Sequence, residues 1–148
     1  MKSPRILRVL VIFSLARGMG QAATLLQVND DFLTASDPTQ LGRLSRNGIQ
    51  QDWTGSEPFP GVINPTVTYH YRQYILNSLL IAGRTFVQIE FDSVPANTFV
   101  AAYDTSYNPA NPGATWLGDP GFSGNFFGTD PLFFQVLIPF GHNVGCRG

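Results

Sequence analysis

Cysteine occurs once in the 148 residues, as Cys146, so no disulfide within the chain can staple the fold and a thiol is left only for pairing between chains. Lysine also occurs once, as Lys2, which excludes Schiff-base chemistry on a lysine throughout the body of the chain. Charged residues make up 13%, about half of the roughly 25% usual in soluble domains. That scarcity, beside 43% apolar and 13% aromatic residues, excludes a disordered chain. Long apolar runs are lacking too: Val9 to Ala16 falls well short of the about 20 residues needed to span a bilayer as a helix. Uninterrupted helical periods are missing as well, because eleven Pro and fifteen Gly punctuate the sequence too often for a long helix after the first twenty residues. What these absences leave is a single all-β domain with enough apolar residues for a core.

The first segment, "MKSPRILRVLVIFSLARGMGQAAT", places Lys2, Arg5 and Arg8 ahead of the apolar run, and small residues follow. This is the layout of a secretory signal peptide, with Gly20 and Ala22 at the small-x-small positions and cleavage expected after Ala22. Residues 1–22 are therefore read as a leader and residues 23–148 as one domain, secreted, periplasmic or at the cell surface. Removal of Lys2, Arg5, Arg8 and Arg17 takes four of nine basic groups and none of the ten acids, leaving a net charge of −5. Nucleic acid, whose phosphates need clustered Lys and Arg, is not an expected partner.

Strand signals recur along the remainder. A short strand is expected over Phe32–Ser36, then a Pro turn at Asp37-Pro38, and residues 48–65, with three Pro and three Gly, form a long loop. In "TVTYHYRQYIL" Val67, Tyr69 and Tyr71 alternate with Thr68, His70 and Arg72, the period of a half-buried strand. In "RTFVQIEFDS" Thr85, Val87, Ile89 and Phe91 alternate with Gln88 and Glu90, and Pro95 ends the pattern. "TFVAAYD" carries small Ala101 and Ala102, which suit close approach of another layer, and "TWLGD" is a short extended piece. "PLFFQVLIP" is apolar on both faces, as a strand inside a sandwich core would be. Short strands at regular spacing predict an antiparallel β-sandwich or jelly roll.

The segments "SDPTQLGRLSRNG", "VTYHYRQYIL", "FVQIEFDSVPANTFVAAYDTSYNPANP", "WLGDPGFSG" and "FFQVLIPFGH" together resemble secreted bacterial β-sandwich domains related to the pre-peptidase C-terminal type, over about Phe32 to His142. The resemblance rests on strand, turn and glycine patterns. It implies a non-catalytic extracellular or cell-surface module, and it brings no catalytic residues and no cofactor. It also implies a further apolar strand after His142, where this chain reads "NVGCRG", so the sandwich is expected to lack its last strand. A missing strand would leave "LFFQVLIP" with an open edge, and self-association through that edge is the expected consequence.

Candidate sites are few. "GDPGFSGNFFGTD" sets Asp119, Gly121, Ser123, Gly124 and Asp130 near the spacing of a calcium loop, but calcium takes six to eight oxygen ligands, and Gly121 offers no side chain where one is needed. A run of Pro, Gly, Ser and Asn between strands is what a turn requires. The metal alternative is an irregular site on Asp104, Asp119 and Asp130 with backbone carbonyls. His70 and His142 have no second ligand at metal spacing. "GFSG" lacks the spacing of a nucleophile elbow, and Glu57, Glu90 and Asp92 are not placed by sequence across a cleft. Trp53, Trp116 and Tyr107 are the candidates for a ligand-stacking surface, against the plainer reading that such aromatics fill the core. The expected function is a non-catalytic structural or binding module of an envelope or extracellular protein. Its alternatives are a carbohydrate-binding module and a calcium-stabilised adhesion domain, and its partner would be an extracellular glycan or protein.

Overall fold

The alternation of Val87, Ile89 and Phe91 with Gln88 and Glu90 does produce a strand, Phe86–Phe91, and its odd-numbered side chains are fully buried, at 0 to 1% exposure. The computed structural model containing it describes residues 6–11, 23–29, 33–55, 57–76, 86–91, 98–124, 132–138 and 144–147. These residues are all β or irregular, with no helix among them. In chain order the strands are β1 (Ile6–Val11), β2 (Ala23–Asn29), β3 (Thr39–Leu44), β4 (Val62–His70), β5 (Gln73–Leu76), β6 (Phe86–Phe91), β7 (Ala101–Asp104), β8 (Trp116–Gly118), β9 (Leu132–Leu137) and β10 (Val144–Arg147).

Every strand pairing is antiparallel. One sheet runs β2-β1-β6-β9, a second runs β5-β10-β7-β8, and β3 with β4 forms a separate pair. Register between β6 and β9 is regular, from Phe86 opposite Leu137 to Phe91 opposite Leu132. That register puts Val87, Ile89, Val136 and Phe134 on one face, and Gln88 and Gln135 on the other. The first face joins Leu76 of β5 and Val100 and Ala102 of the β7 region in one apolar cluster, so this core draws on both four-stranded sheets.

Strand β7 is buried on its other face as well. Ala101 and Tyr103 point into a second cluster with Leu44 and Tyr107, closed by Phe59, Tyr71, Phe99 and Trp116. Tyr107 is its hub, with edge-on ring contacts to Tyr103 at 4.7 Å and Tyr71 at 5.3 Å between centroids. Such aromatic pairs add to the apolar area they bury. Both Ala101 and Ala102 are buried, one toward each cluster.

Several expectations are corrected. The span Phe32–Ser36 yields no strand in its described part: Ala35 and Ser36 form a turn, closed by Asp37 N–H donating to Thr34 O at 3.1 Å. Asp37 also accepts from Thr34 N–H at 2.6 Å, and local side-chain bonding of this kind competes with strand pairing. The "TVTYHYRQYIL" segment is divided between β4 and β5, and most of β4 is exposed rather than half-buried, with Val67 at 46%. Its ladder with β3 is broken between Leu41 and Arg43, where Gly42 takes a φ of +74°, so the alternation loses its single buried face. The absence of a strand after His142 is also overturned, since β10 lies between β5 and β7. A ladder is made by main-chain N–H and C=O groups, so a four-residue strand with a neighbour on each side does not need the alternating apolar pattern that was looked for. Finally, β9, the edge strand of its sheet, is not buried on both faces, with Phe133 41% exposed. Strand β1 falls inside the segment read as a leader and pairs with β6 at Leu7–Phe91 and Arg8–Glu90.

Candidate functional site

The long loop between β3 and β4 is anchored at its base by Ser45 N–H donating to Gly61 O at 2.9 Å. Its middle is an extended run that fills the gap between β8 and β9. Gly48 N–H donates to Gly121 O (3.1 Å) and Gln51 N–H to Asp119 O (3.0 Å), while Gln51 O accepts from Gln135 N–H (3.0 Å). Gln50 Nε2 donates to Phe133 O. Two outward main-chain groups of the β9 edge are thereby satisfied, which is how an edge strand is kept from recruiting another chain.

Gln51 organises this loop. Its side chain is 2% exposed, and its amide donates to Asp52 O and Gly55 O while accepting from Glu57 N–H at 3.0 Å. A buried amide with its donors and acceptor used fixes the loop at little cost, whereas a buried unpaired one would destabilise it. The loop therefore presents Trp53 in a defined position. Trp53 N–H donates to Gln135 Oε1 at 3.3 Å, and its ring stacks on Phe86 at 6.4 Å with 30° between planes. Phe86 beneath is 8% exposed, but Trp53 itself is 58% exposed. From Gln135 the polar contacts continue across the sheet: Gln135 Nε2 donates to Gln88 Oε1 at 2.7 Å, and Gln88 Nε2 donates to Glu90 Oε1 at 2.6 Å.

The segment that opens "GDPGFSG" is not a surface turn. Gly118, Asp119, Pro120, Gly121, Ser123 and Gly124 are all buried, packed beneath the loop just described. A Cβ on Gly118 would lie 2.6 Å from Gln51 Cγ and 2.8 Å from Val136 Cγ1, so only glycine permits β8 to approach both. Asp119 Oδ1 accepts from Gly121 N–H at 2.7 Å, an Asx turn inside the protein. Burial pushes the Asp119 carboxyl up to about 6; the Gly121 N–H and the Trp116 indole N–H oppose that rise, and the Glu57 charge adds to it. The indole makes no aligned hydrogen bond, so Trp116 Nε1 and Asp119 Oδ2, with Ser123 Oγ, have no partner among the described residues.

The other sequence candidates separate. Tyr107 is 8% exposed, donates to Gln40 Oε1, and belongs with Trp116 to the second core. Trp116 meets Phe59 edge-on at 5.8 Å. Neither ring shares a surface with Trp53 in this packing, so the three-ring stacking surface reduces to Trp53. Asp104 accepts from Thr105 Oγ1 at 3.0 Å, and Asp130 lies outside the described residues. No three side chains among His, Cys, Asp and Glu come together among the described residues. His70 is exposed, with Nδ1 3.1 Å from Asp37 O. Gln51, Gln88 and Gln135 carry the site, and sequence reasoning passed over them. The one signal for Gln51 is the alternation of Ile49, Gln51 and Trp53 with Gln50 and Asp52, an extended pattern inside a stretch dominated by turn residues.

No protein-family model, no curated protein and no solved structure matches this chain.

Proposed function

We propose that the chain is a non-catalytic binding module of an exported bacterial envelope or extracellular protein, with its two four-stranded sheets facing each other as a β-sandwich. The apolar cluster shared by β5, β6, β7 and β9 supports the sandwich. Binding is supported by one observation above the rest: Trp53 is 58% exposed and yet held at its backbone by Gln135 and at its ring by Phe86. A rigid aromatic offered to solvent loses little entropy when a ligand covers it, which is the physical basis of an aromatic anchor. Export is supported by the basic, apolar and small-residue order of residues 1–22.

Two measurements test this reading. Protein recovered from outside the cytoplasm should begin at Ala23 or Thr24 by mass spectrometry; an intact Met1 there overturns export. Purified chain should bind its host's envelope fraction in a pull-down, and Trp53→Ala should lose that binding while keeping its melting curve. Retention that is the same with and without Trp53 would place the binding surface elsewhere.

A further inference from the structure

We infer that the surface around Trp53 is a binding site for a neutral glycan, an inference that rests on the binding-module reading and gives it a ligand class. The outer face of β6 and β9 carries a flat indole at one end, and a row of hydrogen-bonding groups, Gln135, Gln88 and Glu90, leads away from it. A sugar ring has that same division: a face of C–H groups that packs on an aromatic plane, and a rim of hydroxyls that both donate and accept. Gln135 and Glu90 can meet the rim, while Gln88, 7% exposed, joins the two from beneath. A primary amide has two N–H donors and two acceptor lone pairs, and the Gln135 side chain spends one donor on Gln88 and one acceptor position on Trp53 N–H. Gln135 and Glu90 are half-buried, so part of each side chain is open to solvent while its orientation is set by the network.

The face also argues against other ligands. Its described side chains on β6 and β9 are aromatic, aliphatic, amide and carboxylate, so among them an anionic ligand meets the like charge of Glu90. The described arginine side chains lie elsewhere: Arg72 pairs with Asp37, Arg46 stands over Phe99, and Arg43 is on β3. A purely apolar partner would bury the exposed parts of Gln135 and Glu90 without replacing their water, which is unfavourable. Phe133, 41% exposed opposite Glu90 in the β9 register, offers a second apolar surface across the row, suiting a chain of linked sugars over a single one.

Affinity electrophoresis of the full chain in gels containing hydroxyethylcellulose, xylan, dextran or alginate tests the inference, with intrinsic fluorescence as a second readout. Retardation by at least one of the three neutral polysaccharides is expected, and none by anionic alginate. Trp53→Ala should weaken that binding by about tenfold or more, a loss equivalent to about 1.4 kcal/mol, whereas Trp53→Phe keeps part of it. Ligand should shift the indole emission of the parent chain but not of Trp53→Ala, in which Trp116 remains. Retardation by alginate alone, or by a neutral gel equally in the parent and Trp53→Ala, overturns the site. If the chain binds the envelope fraction through Trp53 but none of the neutral gels retards it, the glycan class is wrong while the binding module stands. If neither occurs, both fall.

Discussion

Gly121 shows how tightly one residue can be specified. Its φ is +73°, in the left-handed region, and a Cβ there would lie 2.3 Å from the carbonyl oxygen of Ile49. Gly121→Ala must both strain its own backbone and push the loop off β8, so a loss of at least about 2 kcal/mol is expected by denaturant titration. Asp119, two residues earlier, gives a pH signature. Its folded pKa of about 6 lies above the ordinary 3.8, so the folded state holds the proton more tightly than the unfolded one. The resulting stability is fully present below about pH 3.8 and is lost as pH rises through about 6, a change on the order of 3 kcal/mol. Asp119→Asn keeps an oxygen for Gly121 N–H and should flatten this dependence, raising the melting temperature at pH 7 relative to pH 4. Thermal melts of both proteins across pH 4 to 8 check it, and an equally steep loss in the Asn variant would move the effect to another group.

Among the elements, β6 was the most legible in the sequence and β4 the least. Val87, Ile89 and Phe91 alternate because one face of β6 is core, and the pattern is strict where burial is complete. Val67, Tyr69 and Tyr71 alternate just as clearly, but among the described strands β4 pairs only with β3 and keeps nearly all its residues in solvent. Periodicity reports what a strand is able to bury, not whether a partner layer exists. β10 was illegible for the opposite reason, since its place depends on main-chain pairing to β5 and β7 and its apolar trace in "VGCR" is only Val144 and Cys146. The candidate site was half legible: Trp53 stood out by type, but the glutamines that hold it are paired by register and by a distant loop, neither of which a linear reading contains. The loop over the β9 edge makes its own prediction. Gln51→Pro removes the N–H that donates to Asp119 O and should release the edge. Sedimentation velocity is expected to show association beyond that of the parent chain, and an unchanged profile would mean that the edge needs no cover.

For the whole molecule, the leader reading and the sheet order meet at β1. Loss of residues 1–22 would take away the strand between β2 and β6, whose described register on β6 is at Leu7 and Arg8. The apolar cluster built on Leu76, Val87, Ile89 and Phe134 draws on β5, β6 and β9. The chain 23–148 is therefore expected to melt cooperatively, with hydrogen exchange faster near Glu90 and Phe91 and unchanged around Phe86 to Gln88, where β9 supplies the pairing. Collapse of protection throughout β6 would show that β1 is integral to the fold. The loop over β9 has a consequence in time as well as in space. Gln50 and Trp53 bond to Phe133 and Gln135, partners 83 and 82 positions away along the chain. With these bonds to β9 so far downstream, the loop can close on itself but cannot dock while the chain emerges from a ribosome or a translocation channel. It stays unplaced until the last strands arrive, and contacts of such long range slow folding through the entropy of closing the intervening chain. The site at Trp53 is thus completed only after β9 has arrived, and its appearance reports that β9 is in place beside the loop.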